Sequence, residues 1–506
     1  MLPGVPASHW IESTPATSYP PLNEDLEVDV VVVGGGIAGI CTAWEVARTG
    51  RTVALLEAGR IVEGVTGHTT AKLTSVHTLA YSRITRAQGP DAARLYAESQ
   101  QSAVEHAADT ATRLGIDCEL ERLPGFTYTE SDDEVAAIRS EVDAARAAGL
   151  DASFVEETGL PYRVAGAVRV ENQAQFHPRK YLLALAEDLV RQGGRIFERT
   201  RAVGLHEREP CRVTTASGAT VIASHVVVAT SYPVFNRALL FTRLRVRREL
   251  VVAGPIPAER DPEGLYLDPA RNVRSVRTAP YGEGRRLLVV TGEYFLPGSP
   301  GVAERWERLL DWARERFPDV EVTSRWAAQD STSTDRLPFV GPFHPGTRHV
   351  HVATGFGGWG MSTGIMAGRL LAASIAGDRL PWAELYDPRR LHPSREAGPF
   401  VELQGTVGRH FVGDRLAGSD VDSPEHLAPG SGAVVGGHGR RRAVYRDDEG
   451  TLHVLSARCT HLGCLVHFND AERTWACPCH GSRFDVDGAV LQGPANRPLQ
   501  PRSLDP

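Results

Sequence analysis

Six consecutive residues, Gly34-Gly35-Gly36-Ile37-Ala38-Gly39, restrict what this chain can fold into more than any others. They follow an apolar run, Val28–Val33, suited to a buried parallel strand, and lead into a helical stretch, Ile40–Arg48. A second strand, Thr52–Leu56, ends at Glu57. In a G-x-G-x-x-G turn Gly34 permits the tight bend, Gly36 lets a pyrophosphate approach the backbone, and Gly39 brings helix and strand together. The helix N-terminus that follows stabilises phosphate charge. Glu57 stands where an acid can accept both ribose hydroxyls. A dinucleotide-binding β-α-β unit is expected, and the motif alone does not separate FAD from NAD.

The 506-residue chain leaves room for two to four domains at roughly 150 residues each. Alanine-rich helices are expected at Asp91–Leu114 and Asp133–Ala148, with a further helix at His177–Gln192. Val226–Ala229 and Val350–Ala353 read as buried strands, and Arg243–Val290 alternates like an antiparallel sheet. Leu380–Ala397, rich in Pro and Arg, reads as a linker, and Val407–Leu416 as one short helix. From Asp420 onward the segments are short, turn-rich and β-like.

Composition excludes several classes. Apolar residues are 42% and charged residues 23%, as in a soluble globular protein. The net charge of −7 argues against nucleic acid as the partner. The longest uncharged apolar run, Val30–Trp44, is too short for a membrane span, and no secretion signal precedes it. A cytoplasmic protein is the resulting expectation. Seven cysteines are too few for a disulfide scaffold, but Cys459, Cys464, Cys477 and Cys479 crowd together with His461 and His480.

Downstream motifs choose the dinucleotide. Val352-Ala353-Thr354-Gly355-Phe356-Gly357-Gly358-Trp359-Gly360-Met361-Ser362-Thr363-Gly364 is a strand, a glycine-rich turn and a helix start. Its helix N-terminus can stabilise negative charge on a reduced flavin. With GGGIAG, Leu56-Glu57-Ala58-Gly59-Arg60 and Asp335-Arg336-Leu337-Pro338, it makes residues 25–380 resemble the D-amino-acid-oxidase-like FAD oxidoreductases, the group of sarcosine, dimethylglycine and glycine oxidases. That resemblance implies FAD, a Rossmann-like α/β domain and an interleaved α+β substrate domain with an antiparallel sheet. It implies FAD contacts at the glycine turn, at Glu57, Ala58 and Arg60, and at Thr66, Thr69, Thr70 and Ala71. Further contacts would fall at Val203 and Thr230, and at Gly355, Gly358, Trp359, Gly360, Met361 and Thr363.

The C-terminal cluster reads Cys459-Thr460-His461-Leu462-Gly463-Cys464 and Cys477-Pro478-Cys479-His480-Gly481-Ser482. Two thiolates and two imidazoles suit zinc as well as iron. The two loops resemble the Rieske [2Fe–2S] domain, a small all-β unit here spanning 420–506, after a linker at 381–419. In that family Cys459 and Cys477 would hold one iron, His461 and His480 the other, and Cys464 and Cys479 would form a disulfide. Gly493-Pro494-Ala495 resembles the family's proline loop. High-potential members carry a serine and a tyrosine donor in the second loop. Ser482 keeps the first, Phe484 replaces the second, and an intermediate potential within the Rieske range of about −150 to +300 mV is expected.

Three smaller features stand beside these. His68 lies in Gly64–Lys72, a loop that resembles the one in which dimethylglycine and sarcosine dehydrogenases join a histidine to the flavin, but Gly67 replaces their preceding aromatic residue. Lys72 is one of only two lysines, the other being Lys180, and would put a compact charge near the flavin or its phosphates. His68 and Lys72 are the catalytic candidates. Arg243, Arg245, Arg247 and Arg248 share a strand; a solvated face is their ordinary fate, and a substrate carboxylate clamp the alternative. His344 and His349 match a fragment of an oxygenase iron site, but Gly341 stands where a carboxylate would be needed.

The combined expectation is an oxidoreductase that takes a hydride from a small amine or N-alkyl amino acid onto FAD. Electrons would then leave singly through the Rieske cluster to a ferredoxin, cytochrome or quinone. The alternatives are a reductase fed through the cluster, or a redox sensor without turnover.

Overall fold

The computed structural model describes residues 2–503 apart from 271–272, 417–420, 422 and 437–440. The expected boundary at 419–420 therefore lies outside the described residues. The first sheet begins with the predicted β-α-β unit. Leu26–Val33 pairs in parallel with Val53–Leu56 on one side and Thr220–Val228 on the other. Val350–Thr354 extends it in parallel beyond Thr220–Val228, and Arg195–Phe197 beyond Val53–Leu56. All four strand residues Val30–Val33 are buried, as a strand covered on both faces requires. Helices Ile37–Ala47 and Gly360–Ala376 pack on one face.

The glycine turn is tight for a steric reason. Gly34 has φ +111°, and a Cβ there would lie 2.5 Å from Ala229 O. A Cβ on Gly39 would lie 1.8 Å from Gly34 O, so the helix starts against the turn that precedes it.

The second sheet is interleaved with the first along the chain. Its order runs from Ser324–Ser333 through Leu244–Pro257, Arg285–Phe295, Ser275–Pro280, Leu265–Leu267, Glu121–Thr129 and Gly166–Gln175 to Lys72–Leu73. Most neighbours are antiparallel; Leu265–Leu267 runs parallel to Glu121–Thr129. The dinucleotide turn and this sheet thus face each other across one cavity.

The expected linker is partly helical. Pro393–Gly408 forms a helix continued by Arg409–Gly413 and Asp414–Leu416, longer than the short helix expected at Val407–Leu416. Pro393 at its first position costs no hydrogen bond. Glu396 fastens the helix, accepting from Arg243 Nε and Nη2 at 3.1 Å each and from Thr334 Oγ1. The C-terminal domain is two small antiparallel sheets, Gly432–Val435/Arg442–Arg446/Leu452–Ser456 and His467–Asn469/Thr474–Ala476/Arg483–Phe484/Val490–Gln492. Trp475 and Phe484 fill its core. No helix among the described residues is long and apolar enough to cross a membrane.

Gly39→Ala is expected to yield chain that retains little or no FAD, because the turn must open to admit the Cβ. Flavin absorbance per protein after gel filtration measures it, with Gly405→Ala, exposed and with open space for a Cβ, as the comparison.

Candidate functional site

A cavity of about 520 Å³ runs between the two sheets, within the size range of cofactor sites. Gly34, Gly36, Ile37 and Ala38 line one end, with Glu57, Ala58 and Arg60 beside them. Thr66, His68, Thr69 and Thr70 line its flank, and Thr230, Gly358, Gly360 and Met361 lie opposite. Glu57 accepts from Gly35 N at 2.7 Å and Gly59 N at 2.8 Å, which pins its carboxyl at the wall.

Other expected contacts stand off the wall. Gly39 and Gly355 shape turns behind it. Thr363 is fully buried with Oγ1 3.3 Å from Gln100 Oε1, and Trp359 stacks on His77 at 4.4 Å. Ala71 and Val203 contribute no wall either; Arg201 and Ala202 do so instead of Val203. Lys72 is buried one layer behind Thr70, donating to Ser275 Oγ at 2.7 Å. Burial there, aided by Arg277, holds its amine well below the usual lysine range.

His68 Nδ1 donates to Gly64 O at 2.9 Å, and burial keeps the ring below its ordinary pKa. The preceding Gly67 has a packing reason: a Cβ would lie 2.3 Å from Val62 O, and its carbonyl accepts from Ser8 Oγ at 2.6 Å.

Further polar groups complete the wall; the sequence offered Arg247 as a possible carboxylate clamp and did not single out the other three. Arg247, Glu249, Gln329 and Asp330 come from neighbouring strands of the second sheet. Arg247 pairs with Glu249 at 3.0 Å. Burial pushes Asp330 up to about 6, against the N–H groups of Gly358 and Ser331. Arg247 Nε, Gln329 Oε1 and Arg483 Nε are buried without a protein partner among the described residues. A lined cradle with orphaned polar atoms fits a polar cofactor. The sequence carried no signal for Glu249, Gln329 and Asp330, because their facing depends on the register between Leu244–Pro257 and Ser324–Ser333.

The arginine strand is not a solvated face. Arg243 holds Glu396, Arg245 reaches Glu402 at 2.9 Å, and Arg248 makes a two-pronged pair with Glu472 of the C-terminal domain. Arg247 alone joins the cavity wall. Arg483 Nη2 adds a contact to Glu472 Oε2 at 3.1 Å. Burial alone would raise the Glu472 carboxyl, but the two guanidinium groups pull it down to about 2.

In the C-terminal loops Cys464 and Cys479 form a disulfide, and Cys477 Sγ lies within 4.8 Å of both sulfurs. Cys459 and Cys477 are free, buried and hydrogen-bonded to each other, which holds the first thiol down and the second up. The rings of His461 and His480 are 5.0 Å apart. Burial lowers them to about 4 and about 3, so both are neutral, the form that binds metal. His461 Nε2 lies 3.1 Å from Asn236 Oδ1, while its Nδ1 is buried without a partner among the described residues. Donation from Nε2 leaves the Nδ1 lone pair free for iron. Two free thiols and two neutral imidazoles fit a [2Fe–2S] centre of mixed ligation. Ser482 Oγ accepts from Ala495 N at 3.0 Å and reaches the Cys459 thiol. The oxygenase-like His344 and His349 instead bind Glu207 and Ser224 O.

The FAD dependent oxidoreductase family matches residues 29–374, and the Rieske [2Fe-2S] domain matches residues 419–502. The chain belongs to the FAD-dependent oxidoreductases and carries a C-terminal Rieske domain. It is 34% identical over 501 residues to the Rieske 2Fe-2S iron-sulfur protein YhfW of Bacillus subtilis (strain 168), covering 99% of this chain and 98% of that protein. Gamma-glutamylputrescine oxidoreductase of Escherichia coli (strain K12) is 26% identical over 391 residues, 74% of this chain and 89% of that one. The crystal structure of glycine oxidase from Geobacillus kaustophilus shares the fold with TM-score 0.59 at 21% identity, covering 72% of this chain and 100% of that chain. FAD and a [2Fe–2S] cluster are therefore the cofactors.

Hydrogen bonds to the cluster sulfurs favour the reduced state. Ser482→Ala is expected to lower the cluster's midpoint potential and Phe484→Tyr to raise it, read by redox titration of the EPR signal.

Proposed function

We propose that the enzyme oxidises a C–N bond of a small amine or N-alkyl amino acid and passes the electrons through its own Rieske centre to an external one-electron acceptor. The observation that carries this reading is the segment 229–241. Thr230, Ser231 and Val234 line the FAD cavity, while Asn236 contacts His461, and Tyr232 and Phe241 contact His480 with ring centroids at 6.1 and 5.3 Å. One stretch of chain thus separates the flavin cavity from the histidine side of the cluster loops. The relationship to an amine oxidoreductase and the fold of glycine oxidase support the C–N class.

FAD, when bound, accepts the two electrons of the oxidation, and the iron–sulfur centre carries them singly. The chain's own residues orient the substrate. Asp330 and Glu249 offer carboxylates for an ammonium group, and the unpartnered Arg247 Nε suits a carboxylate oxygen. His68, Thr69 and Thr70 line the cavity. Asn236 holds the proton on His461 Nε2.

Mixing the protein anaerobically with a panel of amines and N-alkyl amino acids should bleach the flavin and then the cluster. In Cys459→Ser the flavin should still bleach, but its reoxidation by a one-electron acceptor should slow at least tenfold. Reduction only by a reduced ferredoxin would support the reductase reading instead, and no reduction by either would support a sensor.

A second expectation concerns pH. Asp330 is charged above about 6 and neutral below, while an alkylammonium substrate keeps its charge throughout. KM for a cationic substrate should therefore fall as pH rises through about 6. Asp330→Asn should flatten that profile.

A further inference from the structure

The cavity is not closed by the oxidoreductase domain alone. Arg483, Val490–Gly493 and Asn496, all from the Rieske domain, lie on its wall with the glycine turn and His68. Arg483 sits on a short strand pinned between Thr474–Ala476 and Val490–Gln492. Its Nη2 rests on Glu472, which Arg248 grips from the other domain, and its Nε is buried without a partner among the described residues. The guanidinium is thus pre-positioned at the cavity with a donor unspent. Its electrostatic neighbours Arg248, Glu472 and His68 put it towards the His68 flank.

The rest of the contact runs along the same wall. Arg201 Nη2 donates to Val490 O at 3.2 Å, Asn496 Nδ2 to Val203 O at 3.4 Å, and Gln329 Nε2 to Gly481 O at 2.8 Å. Arg201 and Gln329 themselves line the cavity. Every one of these bonds joins a wall residue, or its chain neighbour, in one domain to the other domain. A ligand filling the cavity therefore touches both domains at once.

We propose that the FAD site is composite: the Rieske domain supplies one wall, with Arg483 as a cofactor-binding residue, and FAD binding and domain docking strengthen each other. The coupling is reciprocal by thermodynamic necessity. A flavin nucleotide contributes anionic oxygens and ring acceptors to Arg483, and the docked domain shields them from water. This inference rests on FAD being the ligand of the cavity, not on the amine reading, so a failed substrate panel leaves it standing.

The test uses full-length chain produced under riboflavin limitation, with its cluster assembled, titrated with FAD and followed by flavin fluorescence. Arg483→Met should weaken FAD binding about tenfold, with the cluster's absorbance and circular dichroism unchanged as proof that the domain is folded. Arg473→Met, on an exposed pair with Asp448, should bind as the parent does. Hydrogen exchange across Val490–Gly493 should slow when FAD is added to the parent chain. Parental FAD affinity in Arg483→Met with the cluster intact, or exchange indifferent to FAD, would overturn the proposal.

Discussion

The arrangement of the whole molecule depends on arginine–carboxylate pairs made by one strand, Leu244–Pro257. Arg243 fixes the helix that leaves the oxidoreductase domain and Arg248 grips Glu472 on the Rieske domain, while the Arg245–Glu402 pair beside them is largely exposed. Arg248 is 1% exposed, and a buried guanidinium without its partner leaves a charge that costs roughly 3–5 kcal/mol. Such pairs contribute little net stability compared with an apolar contact, but they tolerate few geometries. They therefore act mainly on orientation, turning the histidine side of the cluster loops towards the segment 229–241. Arginine's planar fork suits this role where lysine's point charge does not.

The local parts of the site were legible because their chemistry is local. The Gly34–Gly39 turn, Glu57 and the Gly355–Gly364 turn each act through spacings of a few residues, and the structure brings most of them to one cavity. The pairing of Cys464 with Cys479 and the free pair Cys459 and Cys477 agree with the Rieske resemblance. Several strands and helices fell within a few residues of expectation, Pro90–Leu114 and Val350–Thr354 among them.

What could not be read was long-range. The partner of Arg243 lies 153 residues away and that of Arg248 lies 224 away. Without them an arginine-rich strand looks solvated. Asn236 sits in a connection with no motif, and only the docked domain gives it a partner in His461. Trp359, Thr363 and Lys72 carry the right residue types in the right segments, yet their side chains point behind the wall, since the 3.6-residue helical period and strand alternation send neighbours to opposite sides. The helix Pro393–Gly408 hid behind Pro393, Pro399 and three glycines, and tertiary anchoring at Glu396 outweighs their poor propensity.

The segment 229–241 lines the cavity on one side and contacts His461 and His480 on the other. The proposed electron route crosses this segment within one chain. Its most direct test is the rate at which the reduced-cluster EPR signal grows after the flavin is photoreduced, measured across a hundredfold range of protein concentration. A rate independent of concentration is predicted, as for any transfer inside one molecule. A rate that rises in proportion to protein concentration would contradict it, because the electron would then be travelling between molecules.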